Sequence, residues 1–340
     1  MPATSDPAVS VVVPVFNGAA HLGATLAAIR AQAVALQLIV VDDGSSDGSA
    51  DIASAHGASG LLLHQPRAGV CAARNRGLAA ARAPFVAFVD QDDIWHPQHL
   101  QRHLACFAAK PDLGAVVGRY QHWYPGRGDP VDPAACWPAP AHGEAVDNSD
   151  PSSPPRLDPD FSGWVYHQFL RDCWALTSAT TLCTALVRDA GGFDESLPFG
   201  EDWDLWLRLS RVAPMARIAW PPVLYRQHPV QGSRVARPVD WRTRLLLRAA
   251  REHGLASADG RHVPQSEFDT LIAQYHRAYG LHQLQYGSRR RALAALLQSL
   301  QRRPTDSRSV ALLLAALLGW RPPANPDALR DREHAPISPG

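Results

Sequence analysis

Lysine is nearly missing from this chain of 340 residues: Lys110 stands alone, and arginine supplies the rest of the positive charge. With 33 basic and 32 acidic side chains the net charge is +1, so no global field draws the molecule to nucleic acid. Cysteine is sparse. Cys71, Cys106, Cys136, Cys173 and Cys183 match no zinc-knuckle spacing, and an odd count does not make a disulfide framework. A reducing compartment is the expected setting. No basic segment followed by an apolar signal core stands near the N-terminus. The longest apolar run near the C-terminus, Val310 to Leu318, is too short to span a bilayer. A cytoplasmic protein is therefore expected, able to lie at the inner face of the cell membrane. The hydrophobic fraction of 46% with 19% charged residues fits a soluble globular fold.

What is present concentrates at residues 85–95, FVAFVDQDDIW. Phe85 to Val89 reads as a buried strand, since parallel strands covered on both faces appear as continuous apolar runs. Asp90, Asp92 and Asp93 sit at its carboxyl end, where open α/β sheets bind ligands. Carboxylates this close repel one another unless a cation or proton sits among them. Oxygen ligands suit Mg²⁺ or Mn²⁺, ions usually completed by substrate phosphates. A metal–diphosphate site and a solvated Asp-rich turn are both compatible with this stretch alone.

The first hundred residues alternate strand and helix signals. Strands are predicted at Val9 to Phe16, Leu36 to Val41, Gly60 to His64 and Phe85 to Val89. Helices are predicted at His21 to Gln32, Ser49 to His56 and Gly69 to Ala83. Such alternation implies a parallel sheet. Residues 125–160 are rich in Pro, Asp, Ser and Gly and read as a long loop. Strand signal returns near Ala179 to Val187, and Asp204 to Val212 has helical spacing. From Trp241 the pattern is helical and Arg-rich, with one helix around residues 292–301 and another at Ser309 to Leu318. The expected organisation is a catalytic domain over 1–235, a helical region over 236–325 and a disordered tail at 326–340.

Four separated segments bear on one site. Pro14-Val15-Phe16-Asn17 closes the first strand, and Asp42-Asp43-Gly44-Ser45-Ser46-Asp47 closes the second. Arg67 and the stretch Ala72-Ala73-Arg74-Asn75-Arg76-Gly77 precede the carboxylate strand. Gly191-Gly192-Phe193-Asp194-Glu195 and Gly200-Glu201-Asp202-Trp203-Asp204-Leu205-Trp206 follow later. In this order and spacing, over roughly residues 8–230, the set resembles the bacterial family 2 glycosyltransferases of the GT-A fold. The resemblance implies a Rossmann-like mixed, mainly parallel sheet flanked by helices, with a small helical C-terminal region beyond the family core. It also implies an inverting, metal-dependent transfer of a sugar from a nucleotide diphosphate sugar to a hydroxyl acceptor, in bacterial cell-surface polysaccharide synthesis.

The residues carried over are these. Pro14, Phe16, Asn17, Asp42, Asp43, Arg67 and Arg74 would hold the nucleotide, with Asp42 or Asp43 on the base and an arginine on the base or diphosphate. Asp90, Gln91 and Asp92 match the family's Asp-x-Asp motif. Asp92 is the foremost metal ligand, supported by Asp90, Asp93 and His228 in Tyr225-Arg226-Gln227-His228. Glu201-Asp202 matches the acceptor-side pair, with Asp202 as base, Glu201 orienting the acceptor, and Trp203 as an acceptor contact. The donor expected first is a UDP-sugar, and the acceptor a glycan or lipid-linked glycan. Peripheral membrane association is an expectation of the same kind, because the arginines of the helical tail could meet acidic headgroups. Two rivals fit less well. A nucleotidyltransferase would want a basic glycine-rich loop near the first strand, which Asn17-Gly18-Ala19-Ala20 does not supply. A catalytically silent binding module would be favoured by loss of the carboxylates, and all are present.

Overall fold

The computed structural model describes residues 6–56, 60–127, 129–137, 153–218, 223–228 and 237–322. Residues 128 and 138–152 of the predicted 125–160 loop, the expected boundary at 235 and the expected tail at 326–340 lie outside them. The chain divides into two compact units, Met1–Gln227 with Ala256–His262, and His228–Leu255 with Val263–Gly340.

The first unit opens with β1 (Val9–Val15), α1 (Ala19–Arg30), β2 (Leu36–Asp42), α2 (Ser49–His56), β3 (Leu61–His64), α3 (Val70–Ala80) and β4 (Phe85–Phe88). These are the alternating elements the sequence predicts. It continues through β5 (Ile94–Trp95), α4 (His99–Ala109), β6 (Ala115–Val117), β7 (Tyr120–Trp123), α5 (Tyr166–Phe169), β8 (Thr180–Cys183), α6 (Thr184–Asp189), α7 (Glu201–Leu209), β9 (Met215–Arg217) and β10 (Val223–Arg226). The main sheet has seven strands in the order β3-β2-β1-β4-β8-β6-β9. It is mixed and mainly parallel, with β8 antiparallel to both β4 and β6. A small second sheet runs β5-β10-β7.

β1 is central because every residue of it is buried. Its valines join Leu22, Leu26 and Ile29 of α1 in one core. Ser10 is the polar exception. Its hydroxyl donates to Gln37 (2.8 Å) and accepts the backbone N–H groups of Arg82 and Ala83, so its burial leaves nothing unpaired.

Two predicted elements differ. The strand expected over Ala179 to Val187 stops at Cys183 and turns into α6. Its partner β4 begins at Phe85, opposite Cys183, so the ladder has no further register to use. Thr184 instead bonds the carbonyls of Pro84 and Ala83. The helix expected from Asp204 starts three residues earlier. Gly200, at φ 77°, makes the left-handed turn into it, and Glu201, Asp202 and Asp204 lie in its first turn, where acids complement the helix dipole.

The second unit is helical: α8 (Trp241–His253), α9 (Gln265–Tyr286), α10 (Arg289–Arg302) and α11 (Ser307–Leu317). Asp240 caps α8 by accepting from Thr243 and pairs with His276 of α9 (3.2 Å). Leu284, Ala292, Leu296 and Ala316 form the core of the α9–α11 bundle. Among the described residues no helix is long and apolar enough to cross a membrane.

Candidate active site

The site forms at the carboxyl ends of β1, β2 and β4, as expected for an open α/β sheet. The three clustered carboxylates after β4 face different ways. Asp93 is fully buried: its oxygens accept from the Ser178 hydroxyl (2.5 Å) and the Arg226 N–H (3.2 Å). Ser178 in turn accepts the Asp90 N–H (3.0 Å). Burial, then the charges of Asp92 and Asp90, push the Asp93 carboxyl well above the usual carboxylate range. Asp93 is thus an internal anchor joining β4 to β10.

Gln91 lies against the first loop. Its side chain pairs with both backbone groups of Phe16, accepting the N–H (2.9 Å) and donating to the carbonyl (3.2 Å). A Cβ on Gly18 would come within 2.3 Å of Gln91 Oε1, so Gly18 lets this amide lie against the loop. Gln91 fixes the Phe16 loop. Pro14 is buried inside β1 opposite Val41. Asn17, at φ 49°, is exposed and its side-chain oxygen accepts the Ser46 N–H (2.9 Å), tying the first loop to the second.

Asp42 and Asp43 are both buried. Asp43 accepts from the Gln65 amide (2.8 Å) and from the backbone of Ala68 (2.7 Å) and Gly69 (2.8 Å). It shapes the loop ahead of α3. Asp42 accepts from Ser45 N–H (3.1 Å) and meets His64, which is itself exposed (3.2 Å). Arg67, on the loop that Asp43 shapes, lays its guanidinium 3.4 Å from the Phe16 ring centroid, and the pair forms a flat cationic surface beside the first loop.

Arg74 joins the two halves of the site. It is buried, with Nη2 2.7 Å from Asp90 and Nη1 2.9 Å from Glu201. Burial works against its charge, but Asp90, Glu201 and Asp202 prevail and hold the guanidinium more firmly protonated than usual. Asn75, the next residue, donates to the Phe193 carbonyl and to Glu195 and accepts the Phe193 N–H, all at 2.9 Å. Together these residues of α3 fasten the Gly191–Glu195 segment and the start of α7 beside the Asp90 turn.

Asp202 lies in the first turn of α7. Its oxygens accept from Trp203 N–H (2.7 Å) and from the Thr177 hydroxyl (3.4 Å). Burial and the neighbouring Glu201 charge push its pKa up to about 6, against the pull of Arg74. A carboxylate tuned toward neutrality suits a general base. Trp203 is only 3% exposed and donates its indole N–H to the Phe169 carbonyl (2.8 Å). It packs as a core residue. His228 is the first residue of the second unit.

Among the described residues no three His, Cys, Asp or Glu side chains converge to enclose an ion. Of the three clustered carboxylates, Asp90, with 34% of its side chain exposed, and the half-buried Asp92 are the more open. One or two carboxylates completed by phosphate oxygens are what Mg²⁺ or Mn²⁺ ordinarily takes, so the residues fit such an ion.

Asn75, Thr177 and Ser178 escape a reading of the sequence as site residues. Asn75 lies inside a segment already singled out, but Thr177 and Ser178 sit in a turn with no motif around them.

Residues 10–154 match the family described as Glycosyl transferase family 2. The pre-mycofactocin glycosyltransferase of Mycobacterium tuberculosis (strain CDC 1551 / Oshkosh) is 33% identical over 226 residues, 65% of this chain and 42% of that protein. The chain spans less than half the length of the first curated relatives it matches. Among solved structures, S. aureus TarS in complex with UDP-GlcNAc superposes with a TM-score of 0.58 at 16% identity, covering 92% of each chain. The mannosyltransferase PcManGT of Pyrobaculum calidifontis, in complex with GDP-Man and Mn²⁺, superposes with a TM-score of 0.54 at 19% identity, over 94% of this chain and 82% of that one. The fold is that of the GT-A glycosyltransferases, and residues 10–154 are similar to glycosyl transferase family 2.

Proposed function

We propose that the protein is an inverting, metal-dependent glycosyltransferase that moves a sugar from a nucleoside diphosphate sugar to a hydroxyl acceptor in bacterial surface-glycan synthesis. The observation that carries this reading is the Arg74 bridge, which sets the Asp90 turn and the Glu201–Asp202 pair on either side of one guanidinium. The nucleotide sugars bound by TarS and PcManGT support the donor class, and the Mn²⁺ bound by PcManGT supports the metal.

In this mechanism the Phe16–Arg67 surface and the Asp42 edge receive the nucleoside. Asp92 and Asp90 would hold the divalent ion, whose Lewis acidity offsets charge on the departing diphosphate. Asp202 accepts the proton of the incoming hydroxyl. That oxygen forms the new bond to the anomeric carbon as the bond to the phosphate oxygen breaks, and the electron pair leaves with the nucleoside diphosphate. Glu201, held by Arg74, keeps α7 and its base in place and orients the acceptor.

A thermal-shift comparison of UDP, GDP, CMP and dTDP, each with and without Mn²⁺, tests the donor site, because a ligand bound only by the folded state raises the melting temperature. A Mn²⁺-dependent shift with one nucleoside diphosphate is expected. No shift with any of the four contradicts the reading.

A further inference from the structure

The helical unit leaves an apolar face uncovered. On α11, Leu314 is 56% and Leu317 55% exposed, and Leu318 beyond its end is 87% exposed. Val310 begins the same stripe and Trp320 ends it, both exposed. The spacing from 310 to 314, 317 and 318 puts these side chains along one side of the helix. The opposite side already serves the fold: Ala316 is in the bundle core, with Leu312 and Leu313 packed against it.

Positive charge adjoins this face. Arg289, at the start of α10, donates a hydrogen bond to the Leu317 carbonyl, so the Arg289-Arg290-Arg291 cluster lies beside the C-terminal end of α11. Arg321 follows Trp320 directly. From Tyr286 to Pro322 the chain carries seven arginines and a single acid, Asp306, which is paired with Arg277. Three arginines in the first turn of α10 oppose the helix dipole, which favours acids there, so helix stability does not explain them. An exposed leucine stripe ending in tryptophan and rimmed by arginine has the two attractions an anionic bilayer surface rewards: shallow insertion of apolar side chains and attraction of the headgroups.

We propose that the exposed face of α11, with the arginines at the start of α10, docks on an anionic phospholipid surface. Leu314, Leu317, Leu318 and Trp320 enter the interface, and Arg290, Arg291 and Arg321 meet the phosphates. The protein then rests on the bilayer, since none of its described helices is long and apolar enough to cross it. This placement is independent of the donor reaction.

The test is flotation of the full chain with vesicles of phosphatidylcholine and phosphatidylglycerol at 7:3, against pure phosphatidylcholine. Binding is expected to the anionic vesicles only and to weaken with added salt. Replacing Arg290, Arg291 and Arg321 with Gln is expected to lower affinity by about fivefold per residue. Leu317→Ser with Leu318→Ser is expected to lower it at least about tenfold with the arginines intact. Leu318→Ser alone, at the most exposed position, serves if the double variant fails to fold. No flotation, or flotation unaffected by the leucine changes, overturns the proposal. So does a wild-type dimer in size-exclusion chromatography that Leu318→Ser dissociates, because the face would then belong to a second copy of the chain. Nucleotide binding, measured on the same variants, is expected to stay unchanged.

Discussion

Arg74 Nη1 lies 2.9 Å from Glu201 Oε1, and through that bond α3 holds the first turn of α7. The other arm of the guanidinium holds Asp90. Arg74→Gln leaves two carboxylates facing each other without their cation. The expected loss of stability is about 3 kcal/mol, at the low end for a broken buried ion pair because Asp90 keeps part of its surface in water. Arg74→Lys keeps the charge but not the two-armed geometry, so it recovers only part of this. Urea unfolding of both variants checks the order wild type, Lys, Gln.

Gln91 reproduces on one side chain the pairing a neighbouring strand would give Phe16. Gln91→Ala strips both bonds from that backbone, a change of about 1–3 kcal/mol. The Phe16–Arg67 surface then loosens while Asp202 is untouched. The donor KM is expected to rise about tenfold, with kcat changed less than about threefold. A comparable fall in kcat at unchanged KM would show that Gln91 acts on the reacting atoms instead.

Asp202 must be ionised to take a proton, and its pKa is raised to about 6. The rate should therefore be level above that pH and fall about tenfold per unit below it. The raised pKa also means that the folded state binds the Asp202 proton more tightly than the unfolded chain does. That contribution to stability is present below the unfolded carboxylate value and is lost as pH rises through about 6. Asp202→Asn should thus raise the melting temperature at pH 8 while abolishing transfer. A melting temperature lowered at pH 8 would contradict the electrostatic assignment.

His99 and His103 are fully buried on α4, with ring centroids 4.1 Å apart. Burial pushes His103 down to about 3, and burial followed by the neighbouring His103 and His96 holds His99 well below its ordinary value. His103 stays neutral in the fold at pH 5, where unfolded histidines are charged, and the shift of His99 acts in the same direction. Their contribution is present above about pH 6.5 and is lost as pH falls below it, for His103 toward about 3, at up to about 1.4 kcal/mol per pH unit for a ring. Urea midpoints measured from pH 7 to 5 should fall accordingly, and His99→Phe, which can keep the stack on Trp95, should remove about half of that slope.

The alternating elements of residues 9–88 are legible in the sequence because each strand there is a mainly apolar run, closed after β1, β2 and β4 by Asn or Asp. The site was legible as a set of residue types. What each carboxylate faces was not, because that depends on partners far along the chain. Asp93 and Asp92 are adjacent, yet Asp93 is turned inward by Ser178, 85 residues away, and by Arg226, 133 residues away. Trp203 and Asp202 are adjacent too. One helical step separates a core indole from a candidate base, and only the carbonyl of Phe169 reveals which way the indole turns. Short elements failed for a related reason: β8 ends where β4 runs out of residues to pair, which no local pattern in Ala179 to Val187 shows.

The central claim is the division of labour between Asp92, which would hold the metal and diphosphate, and Asp202, which takes the proton. Calorimetric titration of the wild type, Asp92→Asn and Asp202→Asn with the nucleoside diphosphate that the thermal-shift screen selects, in Mn²⁺, tests it most directly. The account predicts loss of Mn²⁺-dependent binding in Asp92→Asn and near wild-type affinity in Asp202→Asn. Equal affinity in all three proteins, or loss in Asp202→Asn alone, would contradict it.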